Sequence, residues 1–319
     1  MSKIATIIEV DGCNTIAEVL SASSTDWSPR VYPAAYGMPD VDGETGDETG
    51  RTYDDADGFN MIVRPDSGSP LGCVRGRYKA QDHRVQLSQL DSLISDGTLQ
   101  PATVNVWDGG GMLAYQFRVP SLDTFIGEAD SVSPLLTLAF FHNGQGSDLA
   151  FFADFRWFCK NQMGRVAQVN SGNGRAVHKG ANDVKYADMI QARIADLGGS
   201  LTDRYNHMRR MRETQLTGRD QLYGYWAKAM LASDPMQVVK DAFALAKPTP
   251  EVRVVQHIGA EYLKDDCGAP GSVWQAYNAV TRYLTHSQGH NADNRVKRAL
   301  LTPGKEYQAA YAEAVKVAA

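Results

Sequence analysis

The amino-terminal half of the chain alternates apolar runs with short Gly-, Pro- or Asp-rich breaks, the pattern of strands joined by tight turns. Three segments read as β-hairpins: FNMIVRPDSGSPLGCVRGRY (59–78), TVNVWDGGGMLAYQFRV (103–119) and LLTLAFFHNGQGSDLAFFADFRWF (135–158). A short helix is predicted in NTIAEVLSAS and another in VQLSQLDSLIS, while PRVYPAAY is predicted extended because prolines punctuate it. In the strand before Lys160, Phe151, Ala153, Phe155 and Trp157 share one face, and Phe152, Asp154, Arg156 and Phe158 the other.

Beyond Lys160 the hydrophobic period lengthens from two to about 3.6. ADMIQARIADL, DPMQVVKDAFALA, EVRVVQHIGAEYL, SVWQAYNAVTRYL and PGKEYQAAYAEAV all carry helical spacing. In the fourth, Trp274, Tyr277, Thr281 and Leu284 fall on one face, with Gln275 and Arg282 pointing away. The last is predicted to begin with Thr302 as cap and Pro303 at the first helical position. The expected fold class is α+β. An antiparallel β-hairpin sheet occupies residues 1–159, and a mostly helical region, residues 160–319, packs on it. The 319-residue chain is long enough for one large core or two smaller ones.

Charge changes the picture. The net formal charge is -5, yet residues 40–57 hold eight Asp/Glu and one Arg, so this acidic, Gly-rich stretch carries -7 and the remainder +2. It is expected to be a solvated loop; its carboxylates suit hard cations, but the glycine and bidentate glutamate positions of an EF-hand are missing. Arg156, Lys160, Arg165, Arg175 and Lys179 fall in a segment without any acid, and Arg209, Arg210 and Arg212 lie in a second basic stretch. Polyanion binding is therefore compatible with the acidic total.

Candidate chemistry is sparse. Cys13, Cys73, Cys159 and Cys267 lie far apart with no metal-ligand spacing, which predicts reduced thiols, no disulfide and no zinc. His286 and His290 in HSQGH are four apart, but Gly289 and the lack of a following Glu spoil a metalloprotease motif. SGNGRAVHKG offers glycines, Arg175, His178 and Lys179 suited to a phosphate backbone, without forming a nucleotide-binding loop. Cys159 beside Lys160 could have a lowered thiol pKa, but no base is supplied nearby. No catalytic residue, cofactor or metal is expected. No export signal or membrane span is read, so a cytoplasmic location in a bacterial host is expected.

These pieces together resemble the phage/plasmid-like proteins catalogued as domain of unknown function 932. The resemblance rests on DWSPRVYPA, CVRGRYKAQDHRV, VNVWDGGGMLAY, LAFFHNGQGSDLAFFADFRWFCKNQM, RAVHKG, SVWQAYNAVTRYLTH and PGKEYQAAYAEAV. His142 and Gly144 match the family's His-Asp-Gly-Ser-like turn, with Asn143 in place of the acid and Ser147 late. Cys159 and Asn161 match a Cys-x-Asn element, Arg175 and His178 an Arg-His pair, and Trp274, Tyr277, Asn278 and Tyr283 the carboxy-terminal block. The resemblance implies a setting in mobile genetic elements of bacteria.

The leading expectation is a phage or plasmid accessory protein that binds single-stranded DNA and assists its annealing or protection, as a homo-oligomer without nucleotide hydrolysis. Arg156, Lys160, Arg165, Arg175, His178, Lys179, Arg209, Arg210 and Arg212 form its candidate nucleic-acid surface. Two rivals stand beside it. One is an enzyme on a nucleotide or protein substrate, centred on Cys159, His178 and Asn161; the other is a structural or anti-defence protein that binds a host protein.

Overall fold

The computed structural model describes residues 6–45, 47–128, 130–156, 161–168, 186–244, 248–264, 269–288 and 305–319. The Gly-rich breaks close hairpins as the alternation requires. β5 (Gln100–Trp107) and β6 (Met112–Arg118) are joined by residues 108–111, and β8 (Ser131–Phe141) and β9 (Leu149–Arg156) by residues 142–148. With β1 (Thr6–Glu9) at one edge, β10 (Asn161–Gln168) at the other and the short β7 (Thr124–Phe125) paired with β8, they build a seven-stranded antiparallel sheet in the order β1-β5-β6-β8-β9-β10. A second sheet of three antiparallel strands holds β2 (Arg30–Val41), β3 (Glu48–Arg64) and β4 (Ser69–Arg75).

Two expectations need correction. The acidic stretch is not a loop. β2 and β3 pair from Ala35↔Asp55 to Val41↔Glu48, so it forms most of a two-stranded ribbon. A backbone ladder needs no apolar side chains, and Asp42 makes the turn by accepting from the Glu44 and Thr45 amides at 2.8 and 2.9 Å. The sheet also continues past residue 159, because β10 pairs with β9 from Asn161↔Arg156 onward. The 159/160 boundary therefore cuts through the larger sheet rather than marking its end.

From residue 186 the described chain is helical. α4 (Tyr186–Glu213), α5 (Arg219–Ala229), α6 (Pro235–Phe243), α7 (Pro250–Tyr262), α8 (Val273–Arg282) and α9 (Lys305–Ala318) follow in order, with α8 running into a π-helical turn over Tyr283–Ser287. Their starts are read from local chemistry. Asp234 and Thr249 cap α6 and α7, each ahead of a proline at the first position, and Ser272 accepts from the Gln275 amide at 3.1 Å to cap α8. The predicted cap Thr302 and Pro303 lie outside the described residues. In the amino-terminal half, α1 (Ile16–Ala22) is capped by Thr15, and the predicted VQLSQLDSLIS helix is two short ones, α2 (His83–Ser88) and α3 (Asp91–Ser95).

One face of the larger sheet carries Leu113, Tyr115, Phe117, Leu136, Leu138, Phe140 and Phe152, all fully or nearly buried. Chain from α1 to α2 covers it at the β5–β6 side, where the Tyr115 hydroxyl donates to Thr25 Oγ1 at 2.7 Å. The carboxy-terminal helices cover it at the β9–β10 side, where the Tyr277 hydroxyl donates to the Met163 carbonyl at 3.0 Å. α8 is the innermost helix. All residues from Val273 to Thr281 are buried, so Gln275 does not point to solvent as the periodicity predicted. Its amide is satisfied internally, with Nε2 donating to the Tyr262 carbonyl at 3.2 Å and Oε1 accepting from the Gly271 amide at 2.8 Å.

The β5–β6 turn shows why its glycines are needed. Gly110 has φ of 106°, and a Cβ there would sit 2.6 Å from the Trp27 ring. Gly110→Ala should cost about 2 kcal/mol or more, from backbone strain plus displacement of a buried indole. A urea midpoint within error of the wild type would refute that role for the close approach.

Candidate nucleic-acid interface

The site begins under the surface, with two histidines. Asp82 caps α2 and places His83 facing the core, fully buried, while the β8–β9 turn delivers His142, which is 2% exposed. His83 Nε2 lies 2.9 Å from the Thr25 carbonyl, which can only accept, so that nitrogen carries the proton. His83 Nδ1 must then accept from His142 Nε2, 3.0 Å away. Burial pushes the His83 pKa down to about 4, against the opposing help of the Thr25 carbonyl, so the ring is neutral at ordinary pH. The Trp27 indole stands edge-on to both rings at 5.2 and 5.3 Å, and the Arg64 guanidinium lies 5.0 Å over its centre.

This cluster fixes the turn above it. Asp148 Oδ1 accepts from the Phe141 amide at 3.1 Å, closing the turn, and the Tyr78 hydroxyl donates to the Phe141 carbonyl at 3.3 Å. Burial, and next the Asp148 charge, push the Tyr78 pKa up to about 12. The small sheet rests on the same turn: a Cβ on Gly72 would meet the Asn143 carbonyl at 2.3 Å, and one on Gly144 would meet Val74 at 2.3 Å. Ile62, fully buried, anchors that inner face.

The outer face of the small sheet has a different character. Tyr32 pairs with Met61, and Met61 with Cys73; Arg30 opposes Val63, and Phe59 opposes Arg75. Alternation puts these side chains on one face. Tyr32 is 46% and Phe59 47% exposed. Beyond β4 the chain adds Arg77 and Lys79, which with Arg75, Cys73, Val74, Tyr78 and Gly144 line a shallow depression of about 570 Å³. Arg75, Arg77 and Lys79 are exposed, and their side chains have no ion pair or hydrogen bond among the described residues. A second shallow depression, about 540 Å³, lies on the same sheet between Arg30, Tyr32, Met61 and Val63. Exposed aromatics beside unpaired cations are what a sequence-tolerant single-strand surface requires: rings to stack bases and charges to track phosphates.

The described residues among those expected to contact DNA are scattered by comparison. Arg156 is fully buried, with Nε 2.6 Å from Asp130 Oδ1 and its guanidinium 5.8 Å from the Trp274 ring centre. Trp274 Nε1 donates to the other Asp130 oxygen at 2.7 Å. Arg156 thus belongs to a core network and not to a phosphate-binding surface; strand alternation put it on the inward face with Asp154. Asp154 is likewise buried and pairs with Arg204 of α4, whose guanidinium lies 3.9 Å over the Tyr311 ring. Burial opposes the Arg204 charge, but Asp154 overcomes this and raises its pKa. Arg165 stands in β10 opposite Ala153. Lys160, Arg175, His178 and Lys179 lie outside the described residues, as does Cys159 of the enzymatic alternative. Arg209 and Arg210 are exposed on α4 and Arg212 is half-buried. Arg209 reaches β7, donating to Thr124 Oγ1 at 2.9 Å and the Phe125 carbonyl at 3.3 Å, beside the 61% exposed Phe125 ring.

Sequence reasoning missed Tyr32, Phe59, Arg75, Arg77 and Lys79 as a surface. The signal was present in CVRGRYK, where cations fall at every second position; Arg75 ends the strand, and a turn closed by the Tyr78 amide on the Arg75 carbonyl carries Arg77 and Lys79 beyond it. Among the described residues no group of three or more His, Cys, Asp or Glu could hold a metal ion, and no helix is long and apolar enough to cross a membrane.

Fold and site together define an α+β protein with an antiparallel sheet, a helical layer and a small three-stranded sheet seated on the β8–β9 turn. The profile of domain of unknown function 932 matches residues 70–302, well over half of the chain, and the protein belongs to that family. The matched span includes His83, His142 and the Arg75–Lys79 cations; Trp27 and the acidic ribbon precede it, and α9 follows it. No curated protein and no solved structure matches the chain.

Proposed function

We propose that the protein binds single-stranded DNA and, as an accessory protein of a phage or plasmid, assists its annealing or protection without hydrolysing nucleotide. The observation that carries this reading is the small sheet, where exposed Phe59 stands opposite Arg75, exposed Tyr32 shares their face across β3, and the unpaired Arg77 and Lys79 follow just past the strand's end. Phosphates lie against the three cations, and bases stack on the two rings. Arg209, held beside the exposed Phe125 ring on β7, supplies a second ring and cation, although its guanidinium is already hydrogen-bonded to β7. The neutral His83–His142 pair and Trp27 act through the turn that supports the cations and do not touch the strand.

The test is fluorescence anisotropy with a labelled single-stranded oligonucleotide at micromolar protein and low salt. Replacing Arg75, Arg77 and Lys79 together by Gln should weaken binding on any sequence alike and lower the magnitude of the salt slope by about 2, at about 0.7 per lost phosphate contact. Tyr32→Ala or Phe59→Ala should cost about 1–3 kcal/mol of affinity each with the slope unchanged. No anisotropy change with the wild-type protein, or a slope that ignores the three cations, would overturn the reading.

A further inference from the structure

The acidic ribbon is the part of the molecule that intramolecular packing leaves unexplained. Every described residue from Ala35 to Asp55 is exposed, on both faces of a two-stranded ladder. Such a ribbon is marginal in water by itself. It nonetheless carries Tyr36, Met38, Val41 and Tyr53, exposed by 52, 55, 56 and 69%. Tyr36 and Met38 share one face, while Tyr53, opposite Gly37, lies on the other, and exposed apolar side chains of that kind on a projecting element mark a contact surface. Around it sit eight carboxylates within residues 40–57, against a single Arg51, which Glu48 already pairs at 2.8 Å.

A complementary surface lies on the same molecule. The depression lined by Arg75, Arg77 and Lys79 has three exposed cations without an ion pair among the described residues, and Phe59 is exposed beside it. Among the described residues none of the tip carboxylates pairs with these cations in its own chain. At the root of the ribbon the register jumps from Pro33↔Asn60 to Ala35↔Asp55, a corner that leaves residues 56–59 of β3 opposite Ala34. Beyond that corner the hydrogen-bonded ladder carries the tip away by roughly 20 Å, at about 3.3 Å per residue. Asp40, Asp42, Glu44, Asp47 and Glu48 are therefore presented outward from the body that holds the cations.

We propose that the ribbon of one copy docks in the Arg75–Arg77–Lys79 depression of a second copy. Carboxylates at the tip meet the three cations, and Tyr36 and Met38 cover the exposed apolar side chains around Phe59. The contact is heterologous: each copy offers a ribbon and a depression, so association propagates head to tail into a closed ring or an open chain. Exposed charges drive the encounter, which makes it salt-sensitive. The inference uses cations also invoked for DNA but does not depend on DNA binding, since the ribbon itself supplies the negative charge.

Sedimentation velocity of nuclease-treated, full-length protein at tens of micromolar tests this. The wild type should sediment as an oligomer in low salt and shift toward monomer at about 0.5 M salt, where the screening length is only a few ångströms. A ribbon variant (Asp40→Asn, Asp42→Asn, Glu44→Gln, Asp47→Asn, Glu48→Gln) and a depression variant (Arg75→Glu, Arg77→Glu, Lys79→Glu) should each be monomeric. All eight positions are exposed, and circular dichroism with urea midpoints checks that both variants stay folded. Mixed together they should form a 1:1 pair of twice the monomer mass, because the mixture contains one intact ribbon and one intact depression. A monomeric wild type in low salt, either variant assembling as the wild type does, or a mixture that stays monomeric overturns the proposal. Oligonucleotide binding by the ribbon variant, measured in parallel, reports separately on the DNA reading.

Discussion

Arg204→Met should destabilise the protein by about 3–5 kcal/mol, because it strands the Asp154 carboxylate in the core without its cation. Asp154 is fully buried on the sheet face that the helices cover, and Arg204 also gives its guanidinium to the Tyr311 ring. Adding Asp154→Leu to that variant should recover much of the loss, since an apolar pair in place of a buried ion pair is often neutral or better. The exposed Lys228–Glu313 pair, 3.1 Å apart on α5 and α9, is the control, and Lys228→Met should cost less than about 1 kcal/mol. Urea midpoints at constant m-value provide the comparison. A single variant no worse than the control, or a double variant no better than the single, would show that the pair does not hold the helical layer to the sheet.

Acid should loosen the other end of the same sheet face. In the unfolded chain the His83 imidazole takes its proton near pH 6.5, but in the folded protein only near about 4. Between those values the unfolded state binds the extra proton, so the stability linked to this ring is fully present above pH 6.5 and is lost as pH falls through about 4. The total is about 3 kcal/mol, at 1.36 kcal/mol per pKa unit. His83→Gln should lower stability at pH 7, by removing the acceptor for His142, and should flatten the stability curve across that window relative to the wild type. Parallel curves for the two proteins would mean that His83 is not the titrating group.

The hairpins were legible because turn chemistry is local. DGGG can hardly form anything other than a tight reversal, and it does so with three consecutive residues, Asp108, Gly109 and Gly110, at positive φ. The switch to helical spacing was equally plain, since periodicity needs no tertiary information. What stayed hidden depended on partners distant in sequence. The acidic ribbon looked like a solvated loop because ladder pairing between Tyr36 and Asp54 leaves no trace in hydropathy. Arg156 read as a surface cation because its neutraliser, Asp130, lies 26 residues earlier and its ring partner, Trp274, far later. α8 read as half-exposed because buried Gln275, Asn278 and Thr281 donate to backbone carbonyls that the pattern does not reveal. His83 drew no notice at all, although the preceding Asp82 could have marked a helix start that turns the next side chain inward.

The buried charges also set a timetable for synthesis. Strands β5 to β9 pair with neighbours close in the chain, so the sheet can zip as it leaves the ribosome. Its inward Asp154 cannot be neutralised so early, since Arg204 lies 50 residues behind it, and the Trp274 indole that completes the Asp130–Arg156 network comes 144 residues after Asp130. At roughly 5–20 residues per second the second interval lasts about 7–30 s. For that time a nascent chain holds a formed sheet whose apolar face is uncovered, which makes it a client for holding chaperones at the ribosome and a target for proteases. A ribosome stalled within α4 would release this species permanently.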